Sequence, residues 1–189
     1  MNSTVLRSTD VAYPVSLRQR LGDRAPKTLT ALGNLGSLSQ PATSLFCSVR
    51  YPGEAILSAY DTARKLRDEG VTVISGFQSP VEKECLRILL RGKQPIIICL
   101  PRSLVKIRIP KEWREALDAG RLLILSPFEK RPRRPTLESA RQRNELVAAL
   151  ADEVLIIHAT RGGHIERISE LVDQWRIPKK RFGSEMGEF

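Results

Sequence analysis

Metal ligands and thiols are scarce in this sequence, with three cysteines and two histidines among 189 residues. Cys47, Cys85 and Cys99 are odd in number, far apart and set among apolar neighbours. That excludes a disulfide framework and a thiolate zinc site, and reads as small buried hydrophobes in a reducing compartment. His158 and His164 add no ligand spacing, so neither a metal nor another cofactor is expected. No apolar run is long enough to cross a membrane, and residues 1–13 lack the apolar core of a secretory signal. The expected address is therefore the cytoplasm. A Walker-type loop, a glycine-rich dinucleotide fingerprint, a nucleophile–base–orienter set and a paired acidic metal site are missing as well. The chain carries no direct sign of catalysis, no internal repeat and no low-complexity tract.

Positive charge is what the chain has in excess, a formal +10 at neutral pH. Residues 101–144 hold twelve Lys or Arg against five Asp or Glu, so this stretch supplies +7 of the total. Such a field favours a polyanionic partner and fast association. Solubility alone would also account for it, and charge does not separate the two readings.

Residues 1–43 have weak periodicity and read as an N-terminal extension that packs on the domain or guards a surface, with 28–32 as a short helix ending at Gly33. A regular alternation then begins. Apolar strand candidates lie at 45–49, 71–75, 95–100, 121–125 and 153–158, with helical patterns at 54–69, 79–91, 110–119, 137–151 and 163–175. Strands alternating with helices predict an α/β domain over 44–177, with a mostly parallel sheet of at least five strands covered on both faces. Residues 178–189 read as a polar, fraying tail.

In such a sheet ligands bind outside the carboxyl ends of the strands, where strand order reverses. That rule selects four turns. Ser48 and Arg50 end the first strand and suit a phosphate, though an ordinary surface turn accounts for them too. Ser75, Gly76 and Ser79 lead from the second strand into a helix; Ser79 with Glu82 matches a capping box, which competes with an anion for the same N–H groups. On that helix Lys83, Arg87 and Arg91 form one basic stripe over an inward face of Val81, Cys85, Ile88 and Leu89. Arg133 and Arg134 sit in an extended Arg-Pro loop, either a polyanion track or a solvated loop. Gly162 and Gly163 permit an anion nest or a plain turn before the last helix. In the preceding helix Asn144 shares a face with Ala140, Val147 and Ala151 and should be half-buried, with Arg143 at the edge of that face.

Taken in order, these turns resemble the DNA-processing protein A family, also called Smf, over about residues 32–175. Leu32-Gly33-Asn34-Leu35-Gly36 is similar to the family's lead-in segment. Cys47-Ser48-Val49-Arg50 resembles its Gly-Ser-Arg turn, Ser75-Gly76 opens its Ser-Gly-x-Ala-x-Gly-Ile-Asp motif, and Gln142-Arg143-Asn144 resembles the core of Phe-Pro-x-Arg-Asn-Arg. Departures are Cys47 for a glycine, Gln78-Ser79-Pro80 in the Gly-Ile-Asp region, Ala140 where an aromatic falls, and Glu145 for the second arginine. The segment 79–92 is closer to the family's short relatives, and no winged-helix pattern follows Trp175. The resemblance implies a Rossmann-like three-layer fold, single-stranded DNA in a basic pocket, self-association, and delivery of DNA to a recombinase. By position it makes Arg50, Arg143 and Asn144 the DNA-contacting candidates; Phe128 is a candidate to replace the missing aromatic only because it lies just before the Arg-Pro loop.

The competing expectation is a nucleotide sensor or a nucleoside-monophosphate phosphoribohydrolase of the same broad fold group. Those hydrolases carry a Pro-Gly-Gly-x-Gly-Thr-x-x-Glu turn, of which Arg161-Gly162-Gly163-His164-Ile165-Glu166 keeps the glycine pair and an acid at another offset. A protein-interaction scaffold is a third expectation.

Overall fold

In the computed structural model, which describes residues 3–181, the apolar runs become strands of a single sheet. The strands are β1 (Thr4–Arg7), β2 (Thr28–Gly33), β3 (Ala42–Cys47), β4 (Thr72–Ser75), β5 (Ile96–Cys99), β6 (Leu122–Ser126), β7 (Glu153–His158) and β8 (Lys179–Arg181). The helices are α1 (Val15–Leu21), α2 (Glu54–Asp68), α3 (Pro80–Leu90), α4 (Lys111–Asp118), α5 (Leu137–Leu150) and α6 (His164–Gln174). Spatial order is β1-β2-β6-β5-β4-β3-β7-β8. The six strands from β6 to β8 run parallel, and β1 and β2 are antiparallel additions at the β6 edge.

Every residue of β3, β4, β5 and β6 is buried, as continuous β-branched and leucine runs require when both faces are covered. Alternate side chains then feed two cores. Phe46, Ile74, Ile97, Leu123 and Ile156 pack under α1, α5 and α6, whereas Leu45, Val73, Ile98, Ile124 and Ile157 pack under α2, α3 and α4. The result is a three-layer α/β domain. Cys99 joins the first core and Cys47 and Cys85 the second; all three thiols are free, and burial pushes each up to about 12.

Two segments depart from expectation. The stretch read as a helix at 28–32 is strand β2, paired with β6 from Thr30↔Ser126 to Gly33↔Leu123. Its Thr28, Thr30 pattern suits an extended chain, and the five residues are too few to hold an isolated helix against a free sheet edge. Residues 3–41 thus supply two strands, and α1 carries Leu17 and Leu21 into the core. At the other end, Lys179–Arg181 adds β8 alongside β7 instead of fraying, with Lys179 Nζ 2.6 Å from Asp173 Oδ2 and donating to Ser169 Oγ at 2.7 Å. The rest of the expected tail lies outside the described residues. Among those residues, no helix is long and apolar enough to cross a membrane.

The chain moves outward from β3 through β4 and β5 to β6, then returns past β3 to form β7 and β8. Strand order therefore reverses between β3 and β7. The carboxyl ends of these two strands frame a crevice.

Candidate functional site

That crevice holds a cavity of about 360 Å³ whose lining comes chiefly from four separate segments, with Pro101 added just after β5. Ser48 and Arg50 follow β3, Gln78, Ser79 and Glu82 open α3, Arg143 and Asn144 project from α5, and Thr160, Gly163 and His164 lead into α6. Local bonds set each wall. The Ser48 N–H donates to the His158 carbonyl at 2.9 Å, and its Oγ accepts from the Thr160 N–H at 3.0 Å. Thr160 Oγ1 donates to the Arg50 carbonyl at 3.1 Å, so the β3 and β7 turns are laced together. The Arg50 side chain stays exposed, and Asn144 is half-buried as its helical face requires.

Arg143 is not at the edge of its helix face but 3 % exposed, the most buried cation of the crevice wall. Its guanidinium lies flat against Gly76, where an added Cβ would fall 1.5 Å from Nη1. Any side chain at position 76 would have to displace the guanidinium. Nη1 donates to the Cys99 carbonyl at 3.2 Å, while Nε is buried without a partner. Burial pulls the guanidinium below its usual range, and the charge of Glu82 opposes that shift. An unanswered donor on a buried cation is a strong attractor for an anion, because desolvation leaves its charge poorly compensated.

The capping box expected of Ser79 and Glu82 is present. Ser79 Oγ accepts from the Glu82 N–H at 3.2 Å, and Glu82 Oε2 accepts from the N–H groups of Ser79 at 3.1 Å and Gln78 at 2.8 Å. Glu82 Oε1 also accepts from the Cys47 N–H at 2.9 Å, tying β3 to α3. Burial pushes this carboxyl up, while the three amides and Arg143 pull it down. The protein's own carboxylate thus occupies the anion seat at the start of α3. Ser75 is equally committed: its Oγ donates to the Leu45 carbonyl at 2.7 Å and accepts from the Phe77 N–H at 3.3 Å.

The start of α6 is less encumbered. Gly162 has φ +70°, a left-handed conformation that favours glycine, and its N–H donates to Glu166 Oε2 at 2.6 Å. Gly163 caps the helix without any side-chain acceptor. His164 follows, its Nε2 buried and unpartnered. Burial lowers its basicity, reinforced by Arg141, Arg143 and Arg167, so the ring is a neutral donor or acceptor at neutral pH.

Of the sequence candidates, Ser48, Arg50, Ser79, Arg143, Asn144 and Gly163 meet at this cavity. Gly76 lies behind Arg143, and Ser75 and Gly162 serve the supporting bonds described above. Lys83 lies on the exposed face of α3 and Arg91 is exposed just past its end, both outside this cavity, and Arg133 and Arg134 are exposed in the loop before α5. Gln78, Glu82 and His164 also line the cavity, although sequence patterning does not single them out as ligand-binding residues. Glu82 is legible there only as a cap, and the single hint for His164 is its place after a glycine pair.

The sequence model of the DNA recombination-mediator protein A family matches residues 4–175. Comparison with curated protein sequences gives no match. Among solved structures, the fold is similar to DNA processing protein A from Helicobacter pylori (TM-score 0.76, 24 % identity), covering 100 % of this chain and 84 % of that one. It is similar also to DNA processing protein A from Streptococcus pneumoniae (TM-score 0.80, 20 % identity), covering 99 % of this chain and 65 % of that one. A more distant likeness links 75 % of the chain to 76 % of a molybdenum cofactor binding protein from Rippkaea orientalis (TM-score 0.53, 12 % identity). With nearly the whole described chain matched, and with the crevice at the reversal of strand order, this protein belongs to the DNA recombination-mediator protein A family.

Proposed function

We propose that this protein binds single-stranded DNA, with a backbone phosphate seated in the crevice between the β3 and β7 turns. The observation that carries the reading is Arg143, a buried guanidinium that lines a cavity and keeps an unpartnered Nε, in a chain of this family. The structurally similar Helicobacter pylori protein is described as binding single-stranded DNA. In this reading Arg50 and Asn144 bracket the phosphate, the α6 N-terminus adds a partial positive charge, and the Arg-Pro loop with Arg133 and Arg134 extends the track. Ser48, Ser75, Gly76 and Ser79 shape the walls rather than hold the anion. Self-association, delivery of the strand to a recombinase and a cytoplasmic address form part of the same proposal.

Fluorescence anisotropy of labelled single- and double-stranded oligonucleotides at two salt concentrations tests it. Binding to the single strand should weaken steeply with salt. Arg50→Ala, at an exposed position that the fold does not need, should weaken it about tenfold, within the range of a charge-assisted phosphate contact. Tight binding indifferent to both salt and Arg50→Ala would overturn the reading. A cavity of this size also suits a single nucleotide. Competition by mononucleotides, and release of adenine on incubation with AMP, would shift the assignment to that alternative.

A further inference from the structure

A second cavity, of about 200 Å³, opens on the other side of the Gly76-Phe77-Gln78 strip, and Gln78 lines both. Its chemistry differs from that of the crevice. Phe77, Leu86 and Trp113 form apolar walls, and Lys83 and Arg87 stand with Glu112 around them. Arg87 is already paired with Glu84, so the charges nearly cancel. An apolar, nearly neutral slot beside an aromatic plane suits an uncharged ring and gives a phosphate little.

The dividing strip is held firmly. Phe77 has φ +48°, a conformation that bulky residues adopt only where the surroundings enforce it. Here the Ser75 hydroxyl accepts the Phe77 N–H, and Glu82 accepts the Gln78 N–H. Trp113 lies on α4 and packs partly against the core, so its ring orientation is restrained before any ligand arrives. Pre-organised aromatic rings bind bases at low entropic cost.

We propose that this cavity is a nucleobase subsite, in which Trp113 stacks on a base of the strand whose phosphate sits beside Arg143. The proposal rests on the single-stranded DNA reading above. It places base and phosphate on opposite sides of one rigid strip, with Gln78 between them. Stacking tolerates any base, so the subsite adds affinity without strong sequence preference.

The chain has two tryptophans, and Trp175 packs on the opposite face of the sheet. A Trp175→Phe protein therefore reports on Trp113 alone. Titration with a thymidine oligonucleotide should quench its fluorescence, and an abasic oligonucleotide of equal length should not. In anisotropy, Trp113→Ala should weaken binding about tenfold, within the range for loss of one stacked base, and Trp113→Phe should restore most of it. If the unmodified protein binds the strand in an Arg50-dependent way, yet Trp113→Ala binds equally well and no quenching occurs, the subsite is refuted and the phosphate site stands. If the unmodified protein binds no single strand, the underlying reading falls and the subsite with it. Should Trp113→Ala fail to fold, the quenching contrast between normal and abasic strands decides.

Discussion

The contact between Arg143 and Gly76 sets the character of the crevice. A guanidinium is tolerated at 3 % exposure because a glycine lets it lie against the chain, with the Cys99 carbonyl and the charge of Glu82 beside it. Gly76→Ala would place a methyl group in the space of the guanidinium and force it outward. We expect a loss of about 1–3 kcal/mol in urea denaturation, the usual cost of overpacking. Arg143→Ala in the same chain should relieve part of that clash, and strictly additive losses would show that the two residues do not press on each other. The Ser-Gly pair is legible in the sequence as a turn. Its use as a seat for an arginine 67 positions further along is not, because only packing brings α5 over the end of β4.

Among the elements, strands β3 to β7 and the helices that cover them are legible from periodicity, and α3 from its capping box, whereas β8 is not. The amino-terminal elements are not. The four-residue β1 and six-residue β2 are short, and their pairing with each other and with β6 depends on partners distant in sequence. Local patterning carries little information about such pairings. Helix α1 shows that this region is integral, since Leu17 is fully buried and Tyr13 Oη donates to the Pro26 carbonyl at 2.6 Å. Leu17→Ala should therefore cost about 2–5 kcal/mol, as for other large-to-small changes in a core. An unchanged urea midpoint would show instead that residues 3–41 are a detachable extension.

For the whole molecule, the excess of positive charge should appear as a salt slope. Arg133 and Arg134 are exposed and make no hydrogen bond or ion pair among the described residues, so changing both to Ala should leave stability within about 0.5 kcal/mol. If each meets a backbone phosphate, the slope of log affinity against log salt should become shallower by about 0.7 for each single-strand phosphate no longer neutralised. A slope equal to that of the unmodified protein would remove the Arg-Pro loop from the track.

By itself, the sequence determined the α/β core, the buried cysteines and the positions of the turns that close its strands. These are consequences of local periodicity and burial, which short stretches of chain encode. Only the tertiary structure decided which turns meet. The reversal of strand order between β3 and β7 gathers Ser48, Arg50, Arg143, Asn144 and Gly163, while the bonds of Ser75, Ser79 and Glu82 turn an apparent phosphate cradle into a self-capped wall. Those outcomes depend on strand order and on competition between internal and external acceptors for the same N–H groups. Both are settled when distant segments pack together.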